Sequence, residues 1–163
     1  CVKESSVGGE SILVDGYEIL AALAKDHESA WAAKALRERQ IDQTETGMQT
    51  SLSPICMDNG SGRTMVRRTL EQRPAPGSTN PEQDQQMIDL WRDSVDQASK
   101  LAPQFKLLSG QVVIVDNYRV MHGRSPYEDL SRMLWRVGVW TEDCLDVPDM
   151  PLASDTRYAA SRG

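Results

Sequence analysis

The feature that most constrains the fold is a stretch at 110–140, where two apolar segments flank a histidine. Residues 112–115, Val-Val-Ile-Val, are an uninterrupted β-branched run, which is typical of a buried strand. Two turn-forming residues follow this run, and residues 119–123 then predict a second short strand that presents His122 at its end. Residues 132–140 alternate with period 2, which indicates a further strand. The sequence therefore predicts mixed α and β content with a C-terminal β-hairpin.

Basic side chains accompany this histidine. Arg132 and Arg136 share one face of the predicted strand at 132–140. A single histidine near a turn is more often structural than a ligand, and arginines on a strand are more often solvated than anion-binding. The alternative is a pocket that binds an anion beside a metal ion or a base.

Two separated motifs resemble one family of oxygenases. The run DNYRVMHGRSPYEDLSRML at 116–134 is similar to the C-terminal signature of the taurine dioxygenase-like Fe(II)/2-oxoglutarate oxygenases, nearest to the γ-butyrobetaine and trimethyllysine hydroxylases. The segment Gly8-Gly9-Glu10-Ser11 is similar to the family's Gly-Gly-acid-Ser/Thr segment. Two motifs in the family's order are more specific than either motif alone.

The resemblance implies roles for the matching residues. His122 is expected to be the distal iron ligand, and Arg132 to hold the C5 carboxylate of 2-oxoglutarate as a bidentate fork. Ser11 is expected to add a hydroxyl donor to that carboxylate, with Arg136 as a further candidate for the same pocket. Asp116 and Asn117 are expected to form the turn and to hold His122 in position. Arg124 is expected either to support that turn or to contact a substrate acid.

The same resemblance implies a fold and a reaction. The fold is a double-stranded β-helix, or jelly roll, of α+β or mainly β class with flanking helices, present here incompletely. The cofactors are Fe(II), 2-oxoglutarate and O2. The implied reaction is the hydroxylation or desaturation of an unactivated C–H bond in a small molecule, with release of succinate and CO2.

One part of the family's pattern does not occur in the 163 residues. The family's first iron-binding histidine and its carboxylate form a His-x-Asp/Glu motif, and neither of the two histidines here has that context. His27 lies in Asp-His-Glu-Ser, where it suits the end of a helix. We therefore expect residues 1–163 to be the C-terminal part of one catalytic domain. Family members usually have more strand material between residues 40 and 80, which leaves open whether residues are absent there as well. The alternatives are a metal-free pseudoenzyme or truncated binding domain of the same fold, and a small α+β binding domain with a superficial resemblance.

Composition limits the partners. A net charge of −6 and a pI near 4.9 argue against nucleic acid and anionic membranes as partners, whereas the resemblance implies a small-molecule substrate. No apolar run has the length of a membrane span, so we expect a cytoplasmic protein, and a homo-oligomer is compatible with this composition. The three cysteines are widely spaced and odd in number, which is typical of free thiols in a reducing compartment: Cys1, Cys56 and Cys144.

Helical signals occur in three places. Residues 17–24 and 28–39 show helical spacing, with inward positions predicted at Tyr17, Leu20, Ala21, Ala24, Trp31, Ala35 and Leu36. Asn80 is a predicted N-cap for a helix that ends near residue 101, with an apolar stripe at Met87, Leu90, Trp91, Val95 and Ala98.

Weaker signals complete the chain. Short strands are predicted at 1–7, 11–14, 52–57 and 64–69, and a loop at 73–77. Arg67 and Arg68 are interpreted as a solvated strand edge, with contact to an anionic substrate as the alternative. Residues 153–163 are expected to form a loose tail or a lid.

Overall fold

The protein combines α-helices with short antiparallel strands. A computed structural model describes residues 1–4, 7–47, 49–60, 62–129, 132–139, 141–142 and 144. The predicted tail at 153–163 lies outside these residues, as does Trp140. In chain order, the elements are β1 (Ser11–Asp15), α1 (Gly16–Lys25), α2 (Ala30–Glu38), β2 (Ile41–Asp42), β3 (Leu52–Ser53), β4 (Cys56–Asp58), β5 (Thr64–Val66), β6 (Arg73–Pro74), α3 (Pro81–Leu101), β7 (Gln104–Phe105) and β8 (Val120–Arg124).

The three predicted helices are present, and local chemistry explains where two of them begin. The Asp15 carboxylate caps α1 by accepting hydrogen bonds from the backbone N–H groups of Tyr17, at 2.9 Å, and Glu18, at 3.4 Å. Asn80 caps α3 by accepting from the N–H of Gln83 at 3.2 Å, and Pro81 occupies the first helical position. The predicted N-cap at Asn80 is confirmed.

Helix α3 supplies the centre of the core. Met87, Ile88 and Trp91 are fully buried, and the Trp91 indole N–H donates to the Arg67 carbonyl at 3.0 Å. This bond satisfies the one polar group of the indole inside an apolar environment. Val95 is also buried, while Leu90 and Ala98 pack partly buried against the cluster, so the predicted stripe is confirmed.

The inward faces of the other two helices were predicted less accurately. In α1 the buried residues are Gly16, Ile19, Leu20 and Leu23, whereas Ala21 and Ala24 are exposed and Tyr17 is partly buried. In α2 Ala35 and Leu36 are buried as predicted, but Trp31 is 37% exposed. The prediction for Trp31 is wrong because Ala32 and Ala33 face the core in its place.

The strands form three antiparallel sheets among the described residues, with orders β7-β1-β8, β3-β2-β6 and β4-β5. The β7-β1-β8 sheet carries several of the candidate site residues. Its strand β1 pairs with β8 along its whole length, from Ser11 opposite Arg124 to Asp15 opposite Val120. The predicted strands at 11–14 and 119–123 are thereby confirmed within one residue at each end.

The two faces of the β1–β8 pair differ. Val14 is buried in the helical core, and Ile12 and Met121 pack against that core. Because side chains alternate along a strand and paired residues share a face, Leu13 and its partner His122 lie on the opposite face. The helices therefore cover one face of this pair and leave the histidine on the other.

The predicted C-terminal hairpin is wrong. Residues 111–116 have no regular secondary structure, and the side chains of Val112 and Ile114 are 79% and 92% exposed. Residues 132–139 contain only a single bridge, from Met133 to Lys3, which is also the only pairing in the predicted strand at 1–7 within the described residues. A β-branched or alternating sequence forms a strand only when a neighbouring strand takes up its backbone hydrogen bonds, and these runs have no such ladder among the described residues.

The remaining strand predictions are correct only in part. The strand predicted at 52–57 is divided into β3 and β4 because Pro54, between them, lacks a backbone donor. The strand predicted at 64–69 ends at Val66, and the predicted loop at 73–77 begins with the two-residue strand β6. The described residues thus form small antiparallel sheets with helices and no closed barrel. Among them, no helix is both long and apolar enough to cross a membrane.

Candidate functional site

The two sequence motifs meet in space, although they lie at opposite ends of the chain. Beyond the β1–β8 pairing, the Gly9 N–H donates to the Pro126 carbonyl at 3.2 Å. Glu10 and Ser125 bind each other through the Ser125 N–H to the Glu10 carbonyl, at 3.0 Å, and through the Glu10 N–H to Ser125 Oγ, at 2.9 Å. The Ser125 hydroxyl also donates to the Glu10 carboxylate, which lowers the pKa of that carboxyl. Backbone and side-chain bonds therefore hold the Gly-Gly-Glu-Ser segment against the segment that follows the histidine.

Gly8 is required by this close approach. Its φ is +68°, in the left-handed region, and a Cβ placed on it would lie 2.2 Å from the Pro126 carbonyl oxygen. It also forms an isolated antiparallel bridge with Tyr127. A larger residue at this position would separate the two motifs.

His122 lies at the centre of β8, opposite Leu13, and remains solvent-exposed. Partial desolvation by the surrounding protein, and then the positive charge of Arg136, lower the pKa of its imidazole. Both effects favour the neutral ring, which is the form that binds a metal ion. His27 lies in an exposed turn after α1, so only His122 combines with other candidate residues.

Two arginines lie around the ring of Tyr127. The guanidinium carbon of Arg124 is 4.3 Å from the ring centroid, and that of Arg132 is 5.4 Å from it. Arg132 also donates from Nη2 to the Gly9 carbonyl at 3.3 Å. Burial, followed by the charge of Arg124, lowers the pKa of Arg132. Tyr127 was not singled out by the sequence, because its role depends on a register between residues far apart in the chain.

The basic residues of this region have no acidic partner among the described residues. The arginines that form ion pairs there lie elsewhere, and Arg124, Arg132 and Arg136 are not among them. Ser11 lies directly opposite Arg124 in the β1–β8 register, so it shares the face that carries His122. Arg124 thus has a hydroxyl opposite it and no acidic partner in the described part of the chain, an arrangement that suits an anionic ligand.

The turn before β8 is organised by Asp116 rather than by Asn117. The Asp116 carboxylate accepts from the Tyr118 N–H at 3.0 Å and from Arg63 Nη2 at 2.8 Å. Its backbone carbonyl accepts from the N–H groups of Arg119, at 3.1 Å, and Val120, at 2.8 Å. Asn117 is exposed within this turn.

Arg119, a residue of the motif at 116–134 for which the sequence predicted no role, fixes the start of β8. The Arg119 guanidinium binds the Asp15 carboxylate through Nε, at 3.0 and 2.9 Å, and through Nη2, at 2.5 Å. The same carboxylate caps α1, so one side chain connects the helix to the strand that carries His122. An acid at a helix N-cap followed far along by an arginine is too common a pattern to indicate this pair.

Arg67 and Arg68 each lie beside an acidic side chain of the same chain. Arg67 lies 3.8 Å from the Glu45 carboxylate and donates to Ser51 Oγ at 3.3 Å, and Arg68 lies 2.9 Å from the Asp96 carboxylate. Their side chains are 30% and 23% exposed, so this edge is less solvated than predicted. These acid partners distinguish the pair from the arginines around Tyr127.

The described residues suit the expected groups to different degrees. The basic and hydroxyl groups around Tyr127 match the distal carboxylate of 2-oxoglutarate. For iron, the described residues offer the His122 imidazole, and they contain no group of three His, Cys, Asp or Glu side chains that could hold a metal ion. The free thiols predicted at the three cysteines are confirmed, with Cys56 buried.

Comparison with known proteins gives the context of this geometry. Residues 1–137 match the family model described as taurine catabolism dioxygenase TauD, TfdA family. The chain is also similar to the gamma-butyrobetaine dioxygenases of Homo sapiens and Pongo abelii. Each is 26% identical over 146 residues, and each alignment covers 82% of this chain and 37% of the relative. The chain thus spans 37% of the length of the curated relatives that it matches.

Proposed function

The chain belongs to the TauD, TfdA dioxygenase family, and from this membership we propose that it is part of an Fe(II)- and 2-oxoglutarate-dependent dioxygenase. The substrate is a small molecule in which an unactivated C–H bond is hydroxylated or desaturated. The observation that carries the proposal is the pairing of β1 with β8, which brings the Gly-Gly-Glu-Ser motif beside the histidine motif.

In this proposal His122 is one ligand of the iron. The family's pattern adds a second histidine and a carboxylate to this ligand, and an iron ion held by the three groups would be able to bind 2-oxoglutarate and O2. The bound iron and co-substrate supply the oxidising power, with release of succinate and CO2. The chain itself holds His122 on a rigid strand pair whose other face is packed against helices, and it favours the neutral imidazole.

Arg132 is proposed to bind the C5 carboxylate of 2-oxoglutarate. It lies beside the Gly-Gly segment through its bond to the Gly9 carbonyl, and it has no acidic partner among the described residues. Ser11, on the same strand-pair face as His122, is proposed as a second donor. Arg136 contributes positive potential near the imidazole.

The jelly roll is proposed for the complete domain. The β7-β1-β8 sheet has one face on the helices, as the sheet of such a domain has when helices flank it. The exposed apolar side chains of the runs 112–115 and 134–139 are proposed to pack in the completed β structure, with Trp135, Val137 and Val139 at 73%, 80% and 82% exposure in this chain.

The test is anaerobic titration of the full-length protein with Fe(II) and 2-oxoglutarate, followed by the visible charge-transfer absorption of the chelate on ferrous iron. We expect the unsubstituted protein to develop this absorption and His122→Ala to lose it. Arg132→Lys should weaken 2-oxoglutarate binding by about 1.5–3 kcal/mol, which is about 10- to 150-fold, because a lysine cannot reproduce the bidentate fork.

His27→Ala and Arg37→Lys are the matched controls, since both positions are exposed and lie away from the site. Each should leave the absorption and the 2-oxoglutarate affinity unchanged. Full absorption in His122→Ala would remove this residue from the iron site. A protein that binds neither iron nor 2-oxoglutarate would instead be a binding domain of the same family without the chemistry.

A further inference from the structure

Tyr127 contacts two arginines of the site, neither of which has an acidic partner among the described residues. Arg124 reaches its ring from β8, and Arg132 reaches it from the segment beyond. The guanidinium carbons lie 4.3 and 5.4 Å from one ring centroid, within the range of a cation–π interaction. A single aromatic side chain therefore contacts both cations.

Two guanidinium groups around one ring repel each other unless negative charge is near. No ion pair of either arginine with an acid occurs in the described part of the chain, and the lowered pKa of Arg132 arises in part from Arg124. The Glu10 carboxylate accepts from the Ser125 hydroxyl, and no ion pair joins it to either arginine among the described residues. The ring face offsets some of the repulsion but carries no net charge, so the pair retains the capacity to bind an anion.

The backbone fixes the position of this ring. Tyr127 forms the bridge with Gly8, and the preceding residue, Pro126, accepts from the Gly9 N–H at 3.2 Å. Arg132 donates to the Gly9 carbonyl, so the ring and the second guanidinium are both anchored to the Gly-Gly segment. Arg124 lies in the β8 ladder, opposite Ser11.

We propose that Tyr127 is a positioning residue that holds Arg124 and Arg132 together as one two-guanidinium site for the distal carboxylate of the 2-oxo acid. This inference rests on the proposed function. Arg124 then contacts the co-substrate, and is not merely a support for the turn. Tyr127 acts through the two arginines, without contact to the reacting atoms.

The test compares two ligands that differ only in the distal carboxylate, 2-oxoglutarate and 2-oxobutyrate. Their affinities are measured by calorimetry on the full-length protein loaded with Mn(II) in place of iron, so that binding is observed without turnover. Tyr127→Leu should weaken the binding of 2-oxoglutarate by about tenfold, because it removes two cation–π contacts, and should leave the affinity for 2-oxobutyrate unchanged. Tyr127→Phe keeps the ring and should retain the affinity for both ligands.

Arg124→Gln is the second variant, and it removes the charge of an exposed side chain, so that the result does not depend on how Tyr127→Leu folds. It should weaken the binding of 2-oxoglutarate at least as much as Tyr127→Leu does, again without effect on the affinity for 2-oxobutyrate. If the unsubstituted protein binds 2-oxoglutarate but Tyr127→Leu or Arg124→Gln binds it equally well, the two-guanidinium site is overturned while the proposed function stands. Equal losses for both ligands would also overturn it, since the distal carboxylate would then not be the group held. An unsubstituted protein that binds neither ligand refutes the proposed function, and this inference falls with it.

Discussion

Replacement of Asp15 should separate two roles that one carboxylate performs. The carboxylate accepts hydrogen bonds from the first backbone N–H groups of α1, and it receives the Arg119 guanidinium through Nε and Nη2. Asn keeps the capping oxygen but loses the charge, whereas Ala loses both. The pair of variants, Asp15→Asn and Asp15→Ala, therefore distinguishes the cap from the ion pair.

The magnitudes follow from exposure. The side chains of Asp15 and Arg119 are 33% and 45% exposed, so solvent screens their ion pair, which should contribute about 0.2–1 kcal/mol. A lost N-cap costs about 0.5–2 kcal/mol. We expect Asp15→Asn to lower the free energy of unfolding by about 0.2–1 kcal/mol, and Asp15→Ala by about 0.7–3 kcal/mol.

The pH dependence has a definite sign. Hydrogen bonds from Arg119 are the largest cause of the lowered pKa of Asp15 in the folded state. The ion pair therefore stabilises the protein above the pKa that this carboxyl has in the unfolded chain, and its contribution is lost as the pH falls through the lower folded pKa. The difference between the wild type and Asp15→Asn should be largest near neutral pH and should shrink in acid, and also in high salt.

Urea unfolding of the three proteins at several pH values measures these differences. Equal stabilities of Asp15→Asn and Asp15→Ala at neutral pH would show that the cap contributes nothing. A wild-type advantage over Asp15→Asn that grows as the pH falls would refute the assigned pKa direction.

Two other predictions concern packing and reactivity. Gly8→Ala should destabilise the protein by more than Gly60→Ala. Both positions have a positive φ, at 68° and 79°, but only at Gly8 would a Cβ meet the Pro126 carbonyl oxygen. Thermal unfolding of both variants measures the difference, and equal shifts in the unfolding temperature would argue against the close contact. Cys56 should react with a thiol reagent more slowly than Cys1 in the native protein and equally fast after unfolding, because burial raises the pKa of the Cys56 thiol to about 12. Mass spectrometry after timed alkylation measures both rates, and early labelling of Cys56 would contradict its burial.

Local signals predicted the helices well. Asn80 and Pro81 define the start of α3 by capping chemistry alone, and the spacing of Met87, Trp91 and Val95 gives its buried face. The exposed position of Trp31 shows the limit of such patterns. An alanine-rich helix can turn either its aromatic residue or its small residues inward, and the neighbouring elements decide which.

For the site, the sequence indicated the residues but not their relations. The structure places Ser11 opposite Arg124 and on the face of His122, yet no sequence pattern indicates that Tyr127 lies beside both arginines. That relation depends on the β1–β8 register and on the bridge at Gly8, which are contacts between the two ends of the chain.

The incorrect strand predictions have a common physical cause. The run 112–115 and the alternating residues at 132–139 have strand composition, but a strand is stabilised only by a partner that completes its backbone hydrogen bonds and by a surface that covers its side chains. Residues 120–124 have a less apolar sequence and still form β8, because β1 supplies both the ladder and the register. The partner strand, more than the composition of the segment, therefore decided which of the predicted strands formed. For the same reason His122 lies on a paired strand here, whereas Arg136 lies in a segment that has no ladder among the described residues.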